Sequence, residues 1–236
     1  DAGCPIETPA FNVNRLCGSG LQAIVSASQA IMLGDCDVAI GGGAENMSRA
    51  PYASLATRFG ARMGDTKMVD MMVGALHDPF HTIHMGVTAE NVAAEHGISR
   101  EAQDALALES HRRAEVAWAE GRFKDQIVPV MLKSRKGDVA FDKDEHFRPG
   151  AKLEDFQKMK AVFLKENGTV TAGNASGIND AAAAVLLMEA GTAKARGLKP
   201  LARLVGYAHA GVEPKTMGIG PVPATNNIFK KLGMTI

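Results

Sequence analysis

Asn14–Gly20 reads N-R-L-C-G-S-G, a thiol set between a polar tripeptide and two glycines, directly ahead of an apolar run with helical spacing. A helix that starts just after Cys17 offers unpaired backbone N–H groups and the positive end of its peptide dipole. Both favour a thiolate over a thiol, and the thiolate is the form that attacks a carbonyl carbon. Gly18 and Gly20 let a substrate approach the backbone closely. The Cys17 N–H can face the oxygen of an acyl group carried on its own sulfur. The competing role is a small buried residue in a tight turn, and the motif alone leaves both roles open.

A nucleophilic cysteine ordinarily works with a base, most often histidine. The sequence holds His77, His81, His84, His96, His111, His146 and His209. His96, His111 and His146 lie in polar stretches and read as solvated side chains. His77, His81 and His84 crowd into H-D-P-F-H-T-I-H-M-G, but Pro79 breaks any helix that would align them. No carboxylate or cysteine completes a ligand set there, so no metal is expected. The I-H-M-G part can instead close over a substrate tail. None of the seven stands out as a triad partner. Ser176, in A-G-N-A-S-G-I-N-D, reads most simply as a cap or turn serine. Lys133, Arg135 and Lys136 form a solvated hairpin tip, with anion binding as the alternative.

The elements that must position these groups follow from pattern. Leu21, Ile24, Val25, Ala27, Ile31 and Met32 predict a helix ending at Gly34. Val38–Ile40 then predicts a short buried strand running into three glycines, and the pair suggests a β-α-β unit with a parallel sheet. From residue 49 to about 160 the texture changes to Met-rich, Gly-punctuated loops and one long charged helix. Ser99 is its expected N-cap, Glu101 lies in its first turn, and Gly121 ends it. I-V-P-V-M-L and D-V-A-F-D flank a Lys-Gly-Asp turn and predict a hairpin. From 161 onward G-T-V-T predicts a strand, A-A-A-A-V-L-L-M a helix, L-A-R-L-V-G-Y-A-H-A-G another strand, and T-N-N-I-F-K-K-L a last helix. A strand, glycine loop and small-residue helix would thus surround Ser176 as they surround Cys17, a weak internal repeat. The expected division is 1–48, 49–160 as an insertion, and 161–236.

Composition bounds the partners. There are 236 residues, 26 basic and 26 acidic side chains, and 46% hydrophobic residues, an ordinary globular balance. A net charge of zero gives no electrostatic reason to expect nucleic acid or an anionic membrane surface. No apolar run is read as approaching the roughly 20 residues of a membrane span. Cys4, Cys17 and Cys36 show no metal or disulfide spacing, and an odd, sparse count fits a reducing, cytoplasmic compartment. The chain opens without Met and stops soon after a Pro-containing loop, so both ends are read as cut.

At N-R-L-C-G-S-G, G-G-G-A-E-N-M-S, H-M-G-V-T-A-E-N-V-A, F-K-D-Q-I-V-P-V, G-T-V-T-A-G-N-A-S-G-I-N-D and M-G-I-G-P-V-P-A the sequence resembles the thiolases. These blocks run in order over nearly the whole chain. The resemblance is strongest to bacterial acetyl-CoA acetyltransferases and to the broader-range 3-ketothiolases of polyhydroxyalkanoate-making bacteria. It implies a five-layer α/β/α/β/α sandwich with an inserted loop domain, incomplete in this chain. It implies that Cys17 accepts an acyl group from acetyl-CoA or a longer 3-ketoacyl-CoA. A second acetyl-CoA, or CoA thiolate in the reverse direction, then takes that group. By the same resemblance His84 and Met85 line the pantetheine tunnel, Ser176 contacts the pantetheine arm, and Met217 sits near the acyl pocket. Lys160, in K-M-K-A-V-F, stands where the family usually has an arginine near the nucleotide, keeping the charge without the planar fork. CoA thioesters are substrates, and no cofactor is implied.

The resemblance further implies a homodimer or homotetramer, with R-F-G-A-R-M-G-D-T-K-M-V-D as the tetramer-forming loop. The family's N-E-A-F, G-H-P and C-x-G-G-G blocks do not occur in this sequence. The expectation is therefore a fragment whose full-length protein is an enzyme and which is inactive alone. A β-ketoacyl synthase has the same fold and also uses a cysteine, but the H-M-G and G-N-A-S-G-I-N-D blocks speak against it. A non-catalytic, lipid-binding thiolase relative is the other alternative, and the presence of Cys17 speaks against that.

Overall fold

The structure is a computed structural model and describes residues 3–236. In chain order its elements are α1 (Ser19–Leu33), β1 (Val38–Asn46), β2 (Tyr52–Ser54), β3 (Met68–Asp70), α2 (Met71–Ala75), α3 (Met85–His96) and α4 (Arg100–Ala119). They continue with β4 (Val130–Leu132), β5 (Val139–Phe141), α5 (Leu153–Gln157), β6 (Asp180–Met188), α6 (Ala190–Ala195) and α7 (Pro221–Leu232). Contacts divide the chain into two compact units. One takes the described residues up to His77 together with Ile178–Gly211 and Gly220–Ile236, and the other takes Asp78–Gly177 with Val212–Ile219. Residues 49–77, which the sequence pattern groups with the insertion, thus pack within the first unit.

In the first unit α1 forms where the apolar stripe predicts it. It ends at Gly34, whose φ of 79° gives the left-handed turn that glycine adopts without strain. Its inward face is carried by Val25 and Ser28, while Leu21 remains 74% exposed. The sheet differs from expectation in three ways. β1 extends through all three glycines rather than stopping at Ile40. The alanine-rich stretch expected to be a helix is the strand β6. The two pair antiparallel, with Gly41 opposite Val185, Gly42 opposite Ala184 and Gly43 opposite Ala183, so no parallel β-α-β unit is formed here.

The glycine part of this sheet is tightly packed. α1 lies so close to β1 that a Cβ on Gly41 would come within 3.0 Å of the Ile24 Cα, and β6 so close that one on Gly42 would lie 2.7 Å from the Ala183 carbonyl oxygen. The alanine-rich stretch pairs with this strand along its whole length, and that long-range pairing overrides alanine's helix propensity. The supposed repeat of the Cys17 arrangement around Ser176 disappears with the helix. The G-T-V-T and L-A-R-L-V-G-Y-A-H-A-G stretches are not assigned as strands either. The last helix begins earlier than predicted, with Pro221 at its first turn, where a missing N–H costs nothing.

The first unit also corrects the reading of apolar runs. Leu16–Leu33 is long and apolar enough to cross a membrane by length and composition, with a mean hydropathy of 1.3. A core helix passes the same test. Here its polar side chains have partners inside the unit: Ser28 Oγ donates to the Val25 carbonyl at 2.7 Å, and Gln29 Nε2 to Tyr207 Oη at 2.7 Å.

In the second unit Ser99 caps α4 as predicted, its Oγ accepting from the Ala102 N–H at 3.2 Å. Glu101 lies in the first turn, and Gly121 follows the helix with a φ of 69°. The predicted hairpin forms from β4 and β5, with Met131 opposite Ala140. The core of this unit gathers Phe156 of α5, Ala117 of α4 and Phe147. Trp118 stacks on Phe147 at 6.1 Å between ring centroids.

Candidate active site

Cys17 sits in a single 3₁₀ turn, Leu16–Gly18, that runs straight into α1. The turn is held by its own short-range bonds. Leu16 N–H donates to Asn14 Oδ1 at 3.0 Å, and Gly18 N–H to the Arg15 carbonyl at 3.0 Å. Ser19 Oγ accepts from Arg15 N–H at 2.8 Å and donates to the Leu16 carbonyl at 2.7 Å. Leu16 itself has a φ of 46°, a conformation that a residue with a branched side chain rarely takes. The outcome is an exposed sulfur-bearing residue ahead of a fifteen-residue helix whose N-cap, Gly18, makes no side-chain cap bond. The N–H groups of Gly18 and Ser19 are spent on the Arg15 and Leu16 carbonyls, and the positive end of the α1 dipole still favours negative charge at this turn. The neighbouring Leu16 and Ser19 line a cavity of about 840 Å³, bounded also by Asn12, Asn14, Gly43 and Ala183.

The remaining candidates lie in the second unit. His84 is the N-cap of α3, its Nδ1 accepting from the Gly86 N–H at 2.9 Å. Its ring stacks on Phe163 at 4.7 Å and 21°, and Gly86 lies under the same phenyl ring, where a Cβ would come within 2.0 Å. Met85, half-buried, is the first residue of α3. Met217 is 42% exposed in the Pro214–Ile219 segment, which packs along α3 through Asn91 Nδ2 donating to the Lys215 carbonyl at 2.9 Å. Phe163 thus lies at the start of α3, and the Met217 segment packs along its middle, at Asn91 and Val92. Lys160 is exposed, three residues before Phe163.

Ser176 ends a loop built with unusual care. Thr171 Oγ1 accepts from the N–H groups of Gly173 and Asn174 at 3.2 and 3.3 Å, and Thr171 N–H donates to Asn174 Oδ1 at 2.8 Å. Asn174 Nδ2 donates to Asp104 Oδ1 at 3.0 Å and to the Thr169 carbonyl at 2.9 Å. Asp104 is 0% exposed and takes its other bond from Arg100 Nε at 2.7 Å. Arg100 Nη2 reaches the carbonyls of Phe156 and Met159 at 2.7 and 3.0 Å. Buried Glu90 accepts from the N–H groups of Thr169 and Val170 at 2.9 Å and from Thr169 Oγ1 at 2.6 Å. Every buried charge here has partners, as burial requires. Ser176 is exposed at the end of this loop and precedes a strand, so it is a loop serine and not a helix cap.

Sequence reasoning missed Glu90, Asp104, Arg100 and Asn174. On helices α3 and α4 the first three have the spacing of solvated surface charges, and only the four-residue Arg100–Asp104 interval hinted at a pair. The three clustered histidines have separate occupations. His77 Nδ1 lies 2.7 Å from the Val73 carbonyl, His81 Nε2 lies 2.9 Å from Glu213 Oε1, and His84 caps α3. Among the described residues no group of three or more His, Cys, Asp or Glu side chains is arranged to hold a metal ion.

Comparison with known proteins gives this geometry its context. The chain is 68% identical over 236 residues to "Beta-ketothiolase BktB" of Cupriavidus necator, covering 100% of this chain and 60% of that protein. It is 52% identical to the "Acetyl-CoA acetyltransferase" of Chromobacterium violaceum over 237 residues, again covering 60% of the relative. The chain thus spans about 60% of the length of the curated relatives it matches. Among solved structures, human mitochondrial 3-ketoacyl-CoA thiolase in complex with CoA is similar at a TM-score of 0.91 and 45% identity, over 99% of this chain and 58% of that one. Acetyl-CoA acetyltransferase of Bacillus anthracis gives 0.89 and 47%, over 96% and 57%. The family model for the thiolase N-terminal domain matches residues 1–191, and that for the thiolase C-terminal domain matches residues 198–236. With Cys17 heading a helix inside the first match and an α/β fold shared with solved members, the chain belongs to the thiolase family.

Proposed function

We propose that the protein carrying this chain is an enzyme that transfers acyl groups between Cys17 and coenzyme A, forming or cleaving short-chain 3-ketoacyl-CoA. The Cys17 sulfur attacks the thioester carbonyl of acetyl-CoA, the carbon–sulfur bond to CoA breaks, and CoA leaves as its thiol. A second acetyl-CoA loses an α-proton, and its carbanion attacks the acetyl group on Cys17. That step releases acetoacetyl-CoA and restores the cysteine. In the opposite direction CoA thiolate attacks an acyl-Cys17 formed from a 3-ketoacyl-CoA. CoA thioesters are substrates, and the chemistry needs neither metal nor cofactor.

The observation that carries this reading is the exposed Cys17 in the turn that leads straight into α1. The positive end of the α1 dipole favours the oxyanion that develops on the acylated sulfur. In the same reading His84 and Met85 border the pantetheine arm, Ser176 meets it from the 169–177 loop, Met217 borders the acyl group, and Lys160 approaches the nucleotide. The stacked His84–Phe163 pair and the fully bonded loop before Ser176 support a preformed surface for a long, flexible ligand. We assign the protein a cytoplasmic, homodimeric or homotetrameric state and a place in 3-ketoacyl-CoA supply for polyhydroxyalkanoate synthesis.

The test is direct. The protein is incubated with acetyl-CoA, quenched in acid and digested, and the Cys17 peptide is weighed. An added acetyl group on Cys17, absent in Cys17→Ala, is expected. A Cys17 peptide that never gains it overturns the reading.

A further inference from the structure

One side chain ties the nucleophile turn to the segment around residue 209 in the same unit. Arg15 Nη1 lies 2.7 Å from His209 Nδ1 and 3.0 Å from Gln22 Oε1 on α1. A guanidinium has only donors, so His209 Nδ1 must present its lone pair. One Nη1 nitrogen carries two hydrogens, and it has two acceptors. His209 is itself fixed from behind. Its carbonyl accepts from Asn227 Nδ2 of α7 at 3.0 Å, and its ring leans on Tyr207 at 5.8 Å. Tyr207 is held by Gln29 and by Lys231, whose Nζ stands 4.8 Å from the ring centroid and donates to the Tyr207 carbonyl at 3.3 Å.

The other end of this link is the turn. Both backbone polar groups of Arg15 are built into it, the N–H on Ser19 Oγ and the carbonyl on Gly18 N–H. The next residue is the left-handed Leu16, and such a conformation persists only when its surroundings hold it. We infer that His209 is a positioning residue for the nucleophile: it anchors Arg15, and Arg15 holds the Leu16 turn that aims the Cys17 sulfur. Sequence alone could not reach this, because 194 residues separate the two partners.

The inference rests on reading Cys17 as the acyl acceptor, and the experiment separates the two. The purified protein is pulsed with iodoacetamide at neutral pH, and the alkylation rates of Cys17, Cys4 and Cys36 are read by peptide mass spectrometry. In the unsubstituted protein Cys17 should outpace the exposed Cys4. His209→Leu should slow Cys17 about fivefold, the weight of one ordinary hydrogen bond, and leave Cys4 and Cys36 unchanged. His209→Asn, whose Oδ1 can stand where Nδ1 stood, should restore most of the rate. If Cys17 is no faster than Cys4 at the outset, the nucleophile reading fails and the inference goes with it. If Cys17 is fast but indifferent to both substitutions, the positioning role alone is overturned. It is equally overturned if Leu and Asn slow Cys17 alike, or if Cys36 is unmasked together with the change.

Discussion

The two units handle polarity in opposite ways. The second buries three carboxylates, Asp78, Glu90 and Asp104, and gives each of them donors. The first buries little beyond Val25, Ser28 and Ala193, and leaves Leu21, Met32, Leu33 and Leu186 largely in solvent. The candidate ligand loop at 169–177 is thus fixed from inside, by groups that water cannot reach. The Cys17 turn at 14–19 is held at the surface, by its own short-range bonds and by the exposed contacts of Arg15. Burial makes a bond costly to break, whereas exposure makes it cheap. The loop is therefore costly to disturb, and the turn is cheap to disturb.

The largest effect should come from the buried network. Asp104→Ala strands Arg100 and Asn174 without their acceptor and should cost about 3–5 kcal/mol. The midpoint of denaturant unfolding, followed through Trp118, the one tryptophan in the sequence, reads the change directly. A loss below about 1 kcal/mol would mean that the loop does not depend on the buried carboxylate, and the contrast between the units would dissolve.

Next comes the tight sheet of the first unit. Gly42→Ala forces a methyl against the Ala183 carbonyl and should cost about 1–3 kcal/mol. Faster hydrogen exchange across β1 and β6 is the expected signature. A Trp118 midpoint that shifts by the same amount would show the two units melting as one and break the comparison.

The smallest effect sharpens the point about exposure. Hydrogen bonds from the Ser48 hydroxyl and then the Ser48 N–H hold the Asp180 carboxyl below its ordinary value of 3.8. A carboxyl depressed in the folded state contributes stability above its unfolded value, and that contribution is lost as pH falls through the lower folded one. Ser48→Ala should let Asp180 titrate nearer 3.8 in an NMR titration, with little change in unfolding midpoint because the group is exposed. An unmoved Asp180 titration would remove Ser48 as the cause.

Local signals made part of this legible in the sequence. The α1 stripe with Gly34, the Ser99 cap and the Lys-Gly-Asp hairpin depend on residues near one another, and each formed as read. The alanine strand did not, because its conformation is set by pairing with β1, far away in the sequence, and not by alanine itself. At the site, Cys17 was legible because a thiol, glycines and a helix start are adjacent. Glu90, Asp104 and Asn174 were not, since their partners lie 70 to 80 residues away. Arg15 and His209 escaped notice for the same reason.

The glycine–alanine ladder between β1 and β6 has a consequence for how this protein can drift. In most sheets a bulkier residue in one strand can be offset by a slimmer one opposite. Here a Cβ added at Gly41 or Gly42 would meet backbone, that of Ile24 and of Ala183, so no slimmer side chain on a neighbour can absorb the enlargement. At Gly41 the remaining escape is for the helix above to move outward, and the cysteine sits in the turn that leads into that helix. Natural variants should therefore be scarce at Gly41 and Gly42, and a library randomised at these two positions should return mostly glycine.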